Sequence, residues 1–354
     1  MLKKDTGQTS FFGDMIYDRL FQKRSHWLKE LLEVVDFSFI NDLCQDLYES
    51  TTGRPAWSPD KLFKVAFLQF CYDISDRRVE EELAFSLIFR YFVGLEADEE
   101  PPDHTTICRF RHKLGPERFQ AIFNRIVSEA RQRGFVTDRL HILDSTHIAA
   151  RVDLFRLKRE RDDDDDDTYV DRGSPDPDAR FGRKTLQKGF YGYKEHCAMD
   201  ADSGILVVTE TTPGQVSDHR LFPRLIGGYP REVTADKGYD SRENRALLTA
   251  IGIKNGIIPR RRRRGRPPAS KRMRPAIERK FAEMKRFYGL TKARYWGLAK
   301  VTIQCLLIPP GRDQLQAAGG LDPASPGGPN ASSGAELMGA VSLKSPIQAK
   351  IARK

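Results

Sequence analysis

The segment Arg139–Ile148 reads RLHILDSTHI, and it constrains the fold more than any other stretch of the chain. Leu140, Ile142 and Leu143 make its start apolar on both faces. That is the pattern of a central strand covered on both sides, which places the chain among α/β folds. Asp144 lies inside this apolar run. A charge in a central strand costs several kcal/mol unless it is paired or bound to a cation. The strand therefore demands both a two-sided core and a partner for one carboxylate.

Upstream, the periodicity is helical. Phe12, Ile16, Leu20 and Phe21 fall near helical spacing, and His26–Val35 is a second apolar-periodic stretch. Ser58-Pro59 reads as an N-cap with proline at the first helical position, followed by Leu62, Val65, Ala66 and Gln69. Ser75 opens a run through Val79, Leu83, Leu87 and Tyr91 that stops near Gly94. Asp103 starts a short helix with Ile107, Phe110 and Leu114, ended by Gly115-Pro116. A longer helix carries Phe119, Phe123, Ile126 and Ala130 and stops at Gly134.

Downstream, a polar excursion over 151–183 contains six consecutive aspartates, Asp162–Asp167. A solvated loop is the reading for such a run. Tyr193–Met199 and Ile205–Thr212 are strands joined by a turn at Ala201–Gly204. A helix at His219–Ile226, a strand at Glu232–Ala235, a helix capped by Ser241 and a strand at Ile253–Pro259 follow. A last amphipathic helix spans about 274–288. The order predicts an α/β domain with a mixed sheet.

Three acids occupy unusual places: Asp144 in the central strand, Asp236 directly after Val233–Ala235, and Glu278 on the last helix. At ~100° per residue, Ile277, Phe281, Met284 and Tyr288 form one apolar face. Arg274, Glu278 and Lys285 form a polar stripe on its edge, which predicts that Glu278 lies beside the sheet rather than in solvent. Three clustered anions repel one another, and a divalent cation resolves that; all-oxygen donors favour Mg²⁺ or Mn²⁺. Two such ions can clamp the attacking and leaving oxygens of a phosphodiester.

The charge agrees with a polyanionic partner. The net charge is +10, yet residues 260–300 alone carry +14 and the remaining residues −4. The basic excess sits around Glu278 and Lys285. No apolar stretch approaches the ~18 residues of a membrane span. The N-terminus shows no secretory h-region, and the five scattered cysteines contain no C-x-x-C pair. A reducing, intracellular compartment is expected.

At this point the residues resemble a known family. Asp144-Ser145-Thr146, Asp236-Lys237-Gly238-Tyr239 and Arg274-x3-Glu278-x6-Lys285 look like the three boxes of bacterial insertion-sequence DDE transposases. The group is the insertion-sequence-four/five type, with its Y-x2-R-x3-E-x6-K signature. Asp103-x-Thr105-Thr106-Ile107-x-Arg109-Phe110-Arg111, Gly192-Tyr193-Lys194-x-His196 and Arg294-Tyr295 add to the likeness, which spans about residues 10–305. It implies a ribonuclease-H-like mixed-sheet catalytic domain with an all-α N-terminal DNA-binding region. Asp144, Asp236 and Glu278 would be the catalytic, metal-binding triad for two Mg²⁺ or Mn²⁺ ions. Hydrolysis at each transposon end would free a 3′-OH that attacks target DNA. Lys285 and Arg274 would contact DNA phosphate. The implied setting is double-stranded DNA, a homodimer pairing two ends, and the bacterial cytoplasm at the nucleoid, with no membrane.

The expected domains are a helical region over 1–134, a catalytic domain over 138–308 with the 151–183 insertion and a 260–272 basic loop, and a tail over 309–354. The tail is rich in Gly, Pro, Ala and Ser and lacks aromatic residues, which reads as disorder. Arg260, Arg261, Arg262, Arg263, Arg264 and Arg266 form a basic extended segment suited to phosphate or a narrow minor groove. Arg109 and Arg111 would sit on a recognition helix after a short turn. His147 and His196 lie on strands beside the triad, and Asp240 reads as a helix cap. Lys271 stands where the signature has Tyr, and the tail departs from the family, so a truncated, inactive DNA-binding remnant is an alternative. A ribonuclease-H-like nuclease without strand transfer is another.

Overall fold

The structure, a computed structural model, describes Met15, Tyr17 and Arg19 and residues 26–48, 56–96, 98–159, 173–183, 189–260 and 272–309. The aspartate run, Arg261–Arg264, Arg266, Lys271 and the tail beyond Pro309 lie outside the described residues.

The first half is helical: α1 (Trp27–Val34), α2 (Phe39–Leu43), α3 (Pro59–Cys71), α4 (Asp76–Phe85), α5 (Leu87–Val93) and α6 (His104–Gln132). Ser58 stands at the α3 N-cap position, but its side chain makes no capping bond. The run from Ser75 to Tyr91 is two helices rather than one, because Ser86 is extended (φ −95°, ψ 110°). That break turns Phe89, Phe92 and Val93 of α5 inward beside Val79 and Leu83 of α4. The two helices expected around Gly115-Pro116 stack into one kinked α6, with Gly115 at φ 70°. Asp103 caps it through Thr106 N at 2.9 Å.

Arg111 corrects the expectation of a recognition helix. It is buried, donating to Gln69 Oε1 at 2.6 Å and to Asp76 at 2.7 Å, with its guanidinium over the Tyr295 ring. A guanidinium spent inside the helical core cannot reach a duplex. The link 94–103 before α6 also exceeds the three- or four-residue turn of a helix-turn-helix.

The second half is built on a six-stranded sheet: β1 (Leu140–Ala149), β2 (Arg180–Arg183), β3 (Gly189–Asp200), β4 (Leu206–Pro213), β5 (Glu232–Ala235) and β6 (Lys254–Ile257). β3 pairs antiparallel with β1 on one edge and with β4, then β2, on the other. β5 and β6 run parallel to β1. The order β4-β3-β1-β5-β6 is a ribonuclease-H-like mixed sheet. β2 and the short α7 (Leu154–Arg159) lie within the excursion that sequence patterning left as loop. Gly192 is required by contact: a Cβ there would meet Ile148 O and approach Ala150 N to 2.6 Å.

α8 (Asp218–Leu225) and α9 (Arg242–Ile251) supply Phe222 and Leu248 to one face, with Leu143, Val233 and Tyr239. α10 (Pro275–Phe287) and α11 (Leu298–Leu306) cover the other, where Ile277, Met284 and Val301 meet Ile142 and Cys197. Ile303, Leu306 and Leu307 also join the helical core, and Phe123 of α6 packs against all three clusters. Among the described residues no helix is long and apolar enough to cross a membrane.

Glu195 of β3 is wholly buried; its Oε1 accepts from Thr209 Oγ1 at 3.0 Å. Burial pushes its carboxyl up to about 7, against the opposing pull of Thr209, the Cys197 and Cys305 thiols and the Lys285 charge.

Two outcomes follow from these contacts. Arg111→Ala strands Asp76 and Gln69 and should lower the urea-unfolding free energy by about 3 kcal/mol, the cost of breaking a largely buried pair from one side. Glu195 binds a proton in the folded chain that the unfolded chain releases above its ordinary value of 4.5. Its contribution to stability therefore falls as pH rises from that value to about 7. The slope is about 1.4 kcal/mol per pH unit, and Glu195→Gln should remove it from the pH profile of urea unfolding.

Candidate active site

The parallel pairing of β1 and β5 sets Leu143 beside Ala235. The next residue on each strand is Asp144 and Asp236, so the two carboxylates leave the sheet from adjacent strands. Asp144 Oδ1 accepts from Ser145 N at 2.8 Å, and Asp236 Oδ1 from Lys237 N at 2.6 Å. Burial raises the Asp144 carboxyl above the usual carboxylate range; the Ser145 N–H and the Arg274 guanidinium pull against it.

The third acid arrives on α10. Ile277, Phe281, Met284 and Tyr288 are buried, as the angular reading requires. That face packs α10 on the sheet and brings Arg274, immediately before its first turn, to the strand ends. The Arg274 guanidinium lies 3.2 Å from Asp144 Oδ2, 3.4 Å from Asp236 Oδ1 and 3.5 Å from Glu278 Oε1. Asp144 and Glu278 contact the same nitrogen, which bounds the separation of their oxygens at the sum of the two distances.

One expectation is corrected here. Glu278 is not sheltered beside the sheet: its side chain is 60% exposed, because its place on α10 lies outside the packed face. The mutual repulsion of the carboxylates is relieved by Arg274, which stands among them. Among the described residues no three His, Cys, Asp or Glu side chains are drawn together as ligands of one ion. The donor chemistry nevertheless fits a hard divalent cation: three carboxylates already converge on one positive group.

The other sequence-selected residues are dispersed. Lys285 is half-buried, and its charge acts on Glu195. Arg109 is exposed and lines a cleft of about 620 Å³ with Tyr48, Trp57 and Lys113. Arg260 is exposed, but its guanidinium donates to Lys237 O at 3.1 Å and Gly238 O at 3.4 Å, so it braces the chain. Arg261, Arg262, Arg263, Arg264 and Arg266 lie outside the described residues.

His196 is buried on the sheet face opposite Asp144, with Nε2 3.0 Å from Thr212 Oγ1. Burial drives it down to about 4, so it is neutral at pH 7. The His147 ring lies tilted against the Phe190 ring, centroids 5.2 Å apart. Asp240 is a buried hub that accepts from Arg260 N at 2.8 Å and pairs with Arg245 at 3.0 Å.

Sequence reasoning passed over two residues near Asp236. Asp218 pairs with Lys194 at 2.9 Å on the His196 side of the sheet. Asn244 donates to Tyr239 O at 2.9 Å and to His219 O at 3.1 Å. Both read as ordinary first-turn helix residues; only Lys194, within the Gly192–His196 motif, carried a signal.

Comparison with known proteins adds the context. Residues 16–113 match the family described as Transposase domain (DUF772), and residues 137–308 match the Transposase DDE domain. Among solved structures, a piggyBac transposase synaptic complex with hairpin DNA aligns over 88% of this chain and 76% of its own, at 11% identity and TM-score 0.36. A simian T-cell lymphotropic virus intasome, in complex with PP2A regulatory subunit B56 gamma, aligns over 79% and 84%, at 14% identity and TM-score 0.26. Likeness at this level adds nothing to the fold already described. The family matches do: a helical part and a sheet part each answer to a transposase domain, in order along one polypeptide, and the chain belongs to the insertion-sequence DDE transposases.

Proposed function

We propose that this chain binds double-stranded DNA at terminal inverted repeats, hydrolyses the phosphodiester at each transposon end, and joins the freed 3′-OH to target DNA. The observation that carries this reading is the convergence of Asp144, Asp236 and Glu278 on the single Arg274 guanidinium. Asp144, Asp236 and Glu278 are the residues that would hold two Mg²⁺ or Mn²⁺ ions. When bound, such ions polarise the phosphodiester, activate water and stabilise the leaving oxygen.

The chain's own residues do the rest. Adjacent strands bring Asp144 and Asp236 side by side, Asp144 within β1 and Asp236 directly after β5. Exposed Glu278 closes the site from the solvent side. Arg274 offsets part of the carboxylates' charge in the free protein; with that charge otherwise compensated, its guanidinium turns to a DNA phosphate, for which its fork is suited. Lys285 serves the same backbone from the next turns of α10, and Arg109 contributes from the helical half. The basic run Arg261–Arg264 with Arg266 adds electrostatic grip. A homodimer bringing two ends together, working on nucleoid DNA in the bacterial cytoplasm, completes the reading.

The second reading, a DNA-binding remnant without cleavage, is motivated by the atypical composition of residues 309–354, while Lys271 in place of the signature Tyr bears on a DNA-end contact. A Mg²⁺-dependent nicking assay on terminal-repeat DNA separates the two, and joined 3′ ends among the products separate a transposase from a plain nuclease. In that assay Asp144→Ala, Asp236→Ala and Glu278→Ala should each lose about 10³-fold in cleavage rate, about 4 kcal/mol of barrier, with end binding intact. Wild-type rates in any of the three would end the assignment. Replacing Arg261–Arg264 with Ser should flatten the log Kd against log salt slope by about four units. An unchanged slope would exclude phosphate contact there.

A further inference from the structure

Asp236 leaves the sheet where β5 stops, and a three-residue turn, Lys237–Tyr239, follows it. Nothing in the strand ladder holds that turn: the last β5–β6 pair is Ala235 with Ile257. Its carbonyls are held by other elements. Lys237 O accepts from Arg260 Nε at 3.1 Å, and Gly238 O from Arg260 Nη2 at 3.4 Å. Tyr239 O accepts from Asn244 Nδ2 at 2.9 Å.

The two donors come from opposite sides. Asn244 is buried at the start of α9, and the same amide nitrogen donates to His219 O in α8. It ties the turn to both helices beneath it. Arg260 comes from the chain leaving β6, anchored by its own N–H to Asp240 Oδ2 at 2.8 Å. It closes the turn from the solvent side. Both side chains bond backbone carbonyls rather than the Asp236 carboxylate, so they act on the backbone that aims it.

We infer that Asn244 and Arg260 are positioning residues for the metal-binding reaction centre, holding the 237–239 turn so that Asp236 stays beside Asp144. Arg260, first of the arginine run, thereby belongs to the site's scaffold. The inference rests on Asp236 being a metal ligand, as proposed above. Groups that orient a ligand from outside the coordination sphere are worth 10- to 100-fold in metal affinity. Asn244→Asp keeps the shape and removes both donated bonds. Arg260→Lys keeps the charge and removes the fork that spans two carbonyls.

The test is Mn²⁺ binding to the full chain, read from the electron paramagnetic resonance signal of free aqueous Mn²⁺, with melting followed by circular dichroism. Asp236→Asn is the control and should lose binding. Arg260→Lys should weaken Mn²⁺ by about tenfold or more while melting within a few degrees of wild type. Asn244→Asp should weaken it at least as much. A Mn²⁺ affinity within twofold of wild type in Arg260→Lys overturns the inference, whether or not Asn244→Asp folds, provided Asp236→Asn has lost binding. If Asp236→Asn binds Mn²⁺ like wild type, the triad reading fails and this inference falls with it.

Discussion

One charge problem organises the sheet half of this molecule. Asp144 sits in the central strand of a sheet covered on both faces, where burial raises its carboxyl against the pull of the Ser145 N–H and Arg274. The strand neighbour adds a second carboxylate beside it, and α10 a third at the rim. A single guanidinium touching all three makes the arrangement tenable. Arg274 can stand there only because the apolar face of α10 is packed against the sheet. The hydrophobic register of one helix thus sets the electrostatics of the site.

The helical half solves a smaller version of the same problem. Arg111 is enclosed among aromatic and aliphatic side chains and is made acceptable by Asp76, Gln69 and the Tyr295 ring. Tyr295 comes from the C-terminal part of the sheet half, as do Ile303, Leu306 and Leu307, which complete the helical core. The helices and the sheet are therefore bound by a shared apolar seam as well as by the backbone. Arg294 reinforces it, bonding Ile74 O at 2.7 Å and pairing with Asp73.

Most of the elements were legible in the sequence, for local reasons. β5 ends where the apolar run Val233–Ala235 ends, α9 begins at Ser241, whose Oγ accepts from Asn244 N at 3.0 Å, and α6 stops before Gly134 at φ 79°. What escaped depended on distant partners. The break at Ser86 serves the packing of α5, and β2 exists because β3 has a free edge beyond β4. Glu278 was misplaced by one edge of its helix: ~100° steps say which residues share a face, but not how far the sheet reaches around it.

The sequence by itself determined the class of the fold and the identity of the three carboxylates, because strand and helix periodicities and the spacing of the three motifs are local properties of the chain. Only the tertiary structure decided what those charges do in the folded protein. Whether an arginine faces solvent, DNA or a carbonyl depends on which elements pack around it, and no neighbour in sequence encodes that. Arg111 is internal, Arg260 braces a turn and Arg274 holds three anions together, although all three read as surface cations in a basic chain.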